Sequence, residues 1–84
     1  MSSHHDHKEI YWRSRRGMLE LELKLIPFVR DCYADLPQEE QATYQQMLAL
    51  EDWQLYDWVQ GREVPDDANV KRVVDKIIAF QGVL

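Results

Sequence analysis

The stretch "RRGMLELELKLIPFV", running from Arg15 to Val29, decides the fold. Its middle alternates Leu19, Leu21, Leu23 and Leu25 with Glu20, Glu22 and Lys24, the pattern of a half-buried β-strand. The residue types argue the other way, because Leu, Glu, Met and Lys are helix formers and none is β-branched or aromatic. At the helical angle of about 100° per residue, Met18, Leu21, Leu25, Phe28, Val29 and Cys32 fall on one face. Glu20, Lys24, Pro27 and Asp31 share a narrow polar stripe, where Pro27 would bend the helix mildly toward solvent. Leu19, Leu23 and Ile26 widen the apolar arc beyond what one neighbouring helix covers. A strand here would also lack a partner, since no other segment alternates convincingly. The spacing predicts a helix over residues 18–34, central to the fold.

Working outward, "KEIYWRSRR" from Lys8 to Arg16 reads as a short helix with a basic last turn, broken by Gly17. "MSSHHDH" before it has no apolar periodicity and is expected to be a flexible terminus spanning residues 1–7. His4, His5 and His7 lie beside Asp6 but on no rigid element, so no metal site is expected. Downstream, Pro37 opens a third helix whose first turn holds Gln38, Glu39 and Glu40, with Tyr44, Met47, Leu48 and Leu50 on its apolar side. Asp52 is positioned to cap a fourth helix, "WQLYDWVQ", closed by Gly61. Asp66 or Asp67 caps a fifth that runs to about Phe80 and ends by Gly82, with Val70, Val73, Val74, Ile77 and Ile78 on its packing face. The expectation is an all-α fold, a compact bundle of five short helices forming one domain over residues 8–84.

Eighty-four residues, 45% hydrophobic and 30% charged, suit one small globular domain with little core to spare. Cys32 is the single cysteine, so no internal disulfide can form and a reducing compartment is expected. No apolar run approaches a membrane span and nothing resembles a signal peptide, which predicts a cytoplasmic protein without direct membrane insertion. The net charge of −5 is unevenly spread: residues 31–69 hold Arg62 alone against ten acids. That acidic middle disfavours nucleic acid as a partner, including a helix-turn-helix reading of the third and fourth helices.

Catalytic chemistry is not legible. Cys32 lies in register with the apolar face, without a histidine nearby, and is expected to be a buried, inert thiol. The three glycines sit at helix ends and make no phosphate-cradling turn. Glu20 and Glu22 point to opposite sides of their helix. The sequence reads as a binding protein and not an enzyme, with no metal and no tightly bound cofactor of its own.

Arg16-Gly17-Met18-Leu19-Glu20 resembles the Arg-Gly-x-x-Glu signature of the succinate dehydrogenase assembly factors, a small flavinylation-factor family of bacteria and mitochondria. "MLALEDWQLYDWV" continues the likeness, with Leu48, Asp52, Leu55 and Trp58 matching the family's second run. The resemblance spans roughly residues 8–80. It implies a five-helix chaperone that binds the flavoprotein subunit of succinate dehydrogenase, and of the related fumarate reductase, and promotes covalent attachment of FAD to it. FAD and its acceptor histidine would belong to the client. Some members carry proline where this chain has Trp53, at a first-turn position where either residue leaves the helix intact.

Within that resemblance, Arg16, Gly17 and Glu20 become candidate partner-binding residues, together with Tyr11 and Trp12. Gly17 offers bare backbone for close approach, and Arg16 a planar fork suited to a client carboxylate. Glu20 would hold that fork or accept a hydrogen bond itself. The plainer alternative makes Arg16 and Glu20 a surface ion pair, and gives Tyr11 and Trp12 to the core. Leu55 and Trp58 are assigned mainly to packing. A different class of function stays open on the residues, an antitoxin-like acidic partner of a small membrane or toxin protein. The free chain is expected to be monomeric.

Overall fold

The alternating stretch is helical. The structure, a computed structural model, describes residues 7–81 and contains α1 (His7–Arg13), α2 (Leu19–Cys32), α3 (Gln38–Met47), α4 (Asp52–Val59) and α5 (Ala68–Ala79). A 3₁₀ turn, Tyr33–Asp35, continues α2 before the chain reverses into α3. Among the described residues there is no strand, and the all-α bundle expected from the sequence is the observed fold. Residues 1–6 and the helix-ending role given to Gly82 lie outside the described residues.

The last helix forms most legibly. Asp67 caps α5 by accepting from the backbone N–H groups of Asn69 (2.8 Å) and Val70 (3.1 Å), two donors that a helix start otherwise leaves unpaired. Val73, Val74 and Ile77 then repeat at helical spacing and are buried. Gly61 ends the α4 connection at φ +79°, a left-handed conformation that suits glycine. Pro37 stands one residue ahead of α3, which opens with Glu39 and Glu40 in its first turn.

α2 runs through the centre, packed by α1, α4 and α5, while α3 packs on α5. Ile10 from α1, Leu21, Leu25 and Phe28 from α2, and Tyr44 from α3 are each at most 1% exposed. Phe28 meets Tyr44 at 6.0 Å and Phe80 edge-on at 5.9 Å, so one ring of α2 joins α3 to the end of α5.

Pro27 corrects the sequence reading. It was expected on a polar stripe facing water, and it is fully buried. Every residue from Leu25 to Val29 is buried, so this central run of α2 is enclosed on all sides, and the helix meets solvent again at Arg30 and Asp31. The N-terminal half is open, with Leu19 63% and Leu23 47% exposed. α1 is also shorter than expected. It stops at Arg13 because the buried Ser14 turns inward, donating from Oγ to the Ile10 carbonyl at 2.8 Å.

Candidate docking site

The chain leaving α1 is stitched to α3 before it reaches Gly17. Arg13 donates to the Gln45 carbonyl at 3.1 Å, and Ser14 Oγ lies 2.7 Å from the Tyr44 hydroxyl. Since Ser14 gives its own proton to Ile10, its oxygen accepts from Tyr44. Burial pushes the Tyr44 phenol well above its ordinary pKa.

Arg16 then closes the junction. Its Nε donates to Asp52 Oδ1 at 2.7 Å, Nη1 to the carbonyls of Arg13 (3.2 Å) and Leu48 (2.9 Å), and Nη2 to that of Leu50 (2.6 Å). Arg13 is the last residue of α1, Leu48 and Leu50 follow the end of α3, and Asp52 begins α4. One guanidinium thus satisfies carbonyls that two helix C-termini leave over, and pairs with a carboxylate where a helix N-terminus favours negative charge. The planar, many-donor fork of arginine suits this, and the compact ammonium of lysine would not.

Two expectations change here. Arg16 pairs with Asp52 and not with Glu20, and its side chain is only 16% exposed, so it is no open fork. Asp52 does not cap α4. The residue before the helix is Glu51, without a side-chain cap, and the Asp52 carboxylate is turned to Arg16 instead. Sequence reasoning had each of these residues in a motif and missed that they touch.

Gly17 and Glu20 are exposed beside this junction. A Cβ on Gly17 would stand 3.9 Å from Asp52 Oδ2, at ordinary contact distance, and the residue's φ is not positive. Nothing in the free chain therefore demands glycine there. Leu19, Leu50 and Trp53, within two residues of Gly17 or Asp52, are 63%, 37% and 58% exposed. That apolar group was not singled out as a surface in the sequence, because each residue fits a helix face equally well.

Tyr11 and Trp12 differ in burial. Tyr11 packs against the core, whereas Trp12 is 64% exposed, edge-on to Tyr11 at 6.0 Å and with the Arg15 guanidinium 5.6 Å from its ring centre. Both line a shallow depression of about 240 Å³ with Lys8, Val29 and Arg30. In the second motif Leu48 and Leu55 are buried and Trp58 packs half-buried against the core, while Asp52, also assigned to packing, pairs with Arg16. Cys32 is half-buried, less than expected, and desolvation raises its thiol pKa, as do the charges of Asp31 and Asp35.

No helix among the described residues is long and apolar enough to cross a membrane, and no cluster of His, Cys, Asp and Glu there could hold a metal. Of the histidines weighed as ligands, His4 and His5 lie outside the described residues, and His7 opens α1.

Residues 8–81 match a family described as flavinator of succinate dehydrogenase. Proteins named FAD assembly factor SdhE are similar over most of their length. That of Pseudomonas aeruginosa is 44% identical over 71 residues, covering 84% of each chain. That of Photobacterium profundum is 35% identical over 82 residues, covering 98% of this chain and 93% of the relative. The Mannheimia succiniciproducens protein is 35% identical over 80 residues, covering 95% and 93%.

Proposed function

The chain belongs to the flavinator of succinate dehydrogenase family, and from that premise we propose that it is an assembly factor. It binds the flavoprotein subunit of succinate dehydrogenase and promotes covalent attachment of FAD to that subunit. The observation that carries this reading is the extent of the family match, residues 8–81, which takes in α2 to α5 whole and all but the first residue of α1. Residues 8–84 act as one domain, with client and chain meeting in the cytoplasm and the free chain monomeric. The flavoprotein of fumarate reductase is a second client.

The chain works as a chaperone and not as a catalyst. FAD and the residue that receives it belong to the client, and this protein holds no cofactor tightly by itself. The client docks on the face centred at Gly17, with Glu20, Tyr11 and Trp12 in contact and Arg16 holding the face together. Support for that face comes from Gly17 being bare and exposed while the fold itself would accept a side chain there. The exposed Leu19, Leu50 and Trp53 around it supply apolar area of the kind interfaces bury.

Deleting the gene and measuring covalently bound flavin on the succinate dehydrogenase flavoprotein tests the function. In-gel flavin fluorescence of that subunit should fall sharply and return when the chain is supplied again. Flavinylation undiminished by the deletion would overturn the reading.

A further inference from the structure

Beside Gly17 stands a carboxylate oxygen to which no donor among the described residues bonds. Asp52 Oδ1 accepts from Arg16 Nε at 2.7 Å, while Oδ2 faces the Gly17 backbone, 3.9 Å from where a Cβ would be. Among the described residues nothing donates a hydrogen bond to Oδ2, and no buried side-chain oxygen or nitrogen there is without a partner, so Oδ2 reaches the surface. The Asp52 side chain is 33% exposed.

Resting on the docking reading above, we propose that Asp52 is the polar contact for the client and that Arg16 is a positioning residue acting through it. Oδ2 accepts a hydrogen bond from an N–H donor on the flavoprotein segment that packs against Gly17. That donor is a backbone amide or a lysine or arginine side chain, and a client carboxylate would be repelled.

The site's polarity is thus opposite to the one a motif arginine suggests. Arg16 already donates to Asp52 and to three carbonyls, so it has no fork left to offer a second carboxylate. Those bonds fix the guanidinium, which in turn fixes the Asp52 rotamer before any partner arrives, and a contact ordered in advance loses less entropy on binding. Further acids accompany Asp52. Glu51 is exposed next to Asp52, Glu20 is exposed one turn from Arg16, and residues 31–69 hold ten acids against Arg62. Leu50 and Trp53 flank Asp52 in the chain and are exposed, placed to keep water from a hydrogen bond formed there.

Asp52→Asn tests this sharply. The Arg16 N–H needs an acceptor, so the amide oxygen turns to Arg16 and the amide N–H₂ takes the place of Oδ2. A donor then faces the client's donor. Affinity for the purified flavoprotein subunit, read by calorimetry well below the melting midpoint, should fall about tenfold or more, the scale of one charged hydrogen bond. Asp52→Glu, which keeps the charge, should bind better than Asp52→Asn. Arg16→Ala should weaken binding by a similar factor, and the double variant Arg16→Ala/Asp52→Asn by no more than the worse single one, because the two act in series. The affinity should also respond less to added salt in Asp52→Asn than in the unaltered chain, a change that mere loosening of the fold would not produce.

Wild-type affinity in Asp52→Asn would overturn the proposal. So would losses that multiply in the double variant, which would put Arg16 itself on the client, or equal binding by the Glu and Asn variants. An unaltered chain that fails to bind the flavoprotein subunit at all would instead overturn the functional reading, and this inference with it.

Discussion

Gly17 is a residue that its own fold does not require to be glycine. Its backbone is not left-handed, and an added Cβ meets only Asp52 Oδ2 at 3.9 Å. Gly17→Arg should therefore shift stability by no more than about 0.5 kcal/mol, as surface substitutions do, while abolishing pull-down of the flavoprotein subunit. Thermal melts run beside the pull-down check it, and parallel loss of both would make the glycine structural. Two weak acids, one half-buried and one buried, set the alkaline limit. Folding raises the pKa of the half-buried Cys32 thiol and of the buried Tyr44 phenol. The unfolded chain loses these protons first, near about pH 8.5 and pH 10. Above each value the folded state binds more protons than the unfolded one, so stability falls as pH rises. Urea midpoints should hold to about pH 8 and then decline, the earlier part of the decline missing in Cys32→Ser and the later part in Tyr44→Phe. At this scale the sequence named the residues but not their partners. Arg16 and Asp52 are 36 positions apart, and Ser14 and Tyr44 are 30 apart, separations that no local pattern encodes.

Among the elements, α5 depends most visibly on a single side chain. Asp67→Ala removes the acceptor of two backbone N–H groups and should destabilise the protein by about 1 kcal/mol, measurable by chemical denaturation. α3 and α5 are further joined by Glu40, whose nearly buried carboxylate accepts from Lys76 and lies 3.6 Å from Arg72. Both cations remain about half exposed and can turn to water when the acid is lost. Glu40→Gln should thus cost on the order of 1 kcal/mol, below the loss expected where a cation is stranded in the interior. A drop of several kcal/mol in the denaturation midpoint analysis would show that the strut is drier than its exposure implies. Elements were the most legible level, because caps, breakers and three-four spacing act within a turn or two. The Asp67 cap, the Gly61 stop and the Leu21–Leu25–Phe28 face of α2 could all be read from neighbours in sequence. Pro27 could not, since whether its stripe meets water depends on three other helices closing around α2.

For the molecule as a whole, the fold class followed from helix periodicity, whereas the proposed docking surface did not. Leu19, Leu23 and Trp53 look like core in a sequence and lie on the outside of the bundle. Two depressions among the described residues, of about 350 and 240 Å³, are both open to solvent, and neither is lined by a phosphate-binding turn. Calorimetric titration of the isolated protein with FAD should show no submicromolar binding, and tight binding would require the flavin to be carried by this chain and not by its client. The Arg16 junction has one more consequence, and it concerns time. Its bonds to Leu48, Leu50 and Asp52 span 32 to 36 residues. Closing loops of that size carries an entropic penalty that local helices do not meet, so such contacts form only after much of the chain has collapsed. A half-made polypeptide, or one with α4 undocked, can hold its helices and still lack the surface beside Gly17. If the client docks there as proposed, it is offered only molecules that have finished folding, and the affinity of a preparation for the flavoprotein should read out its completely folded fraction.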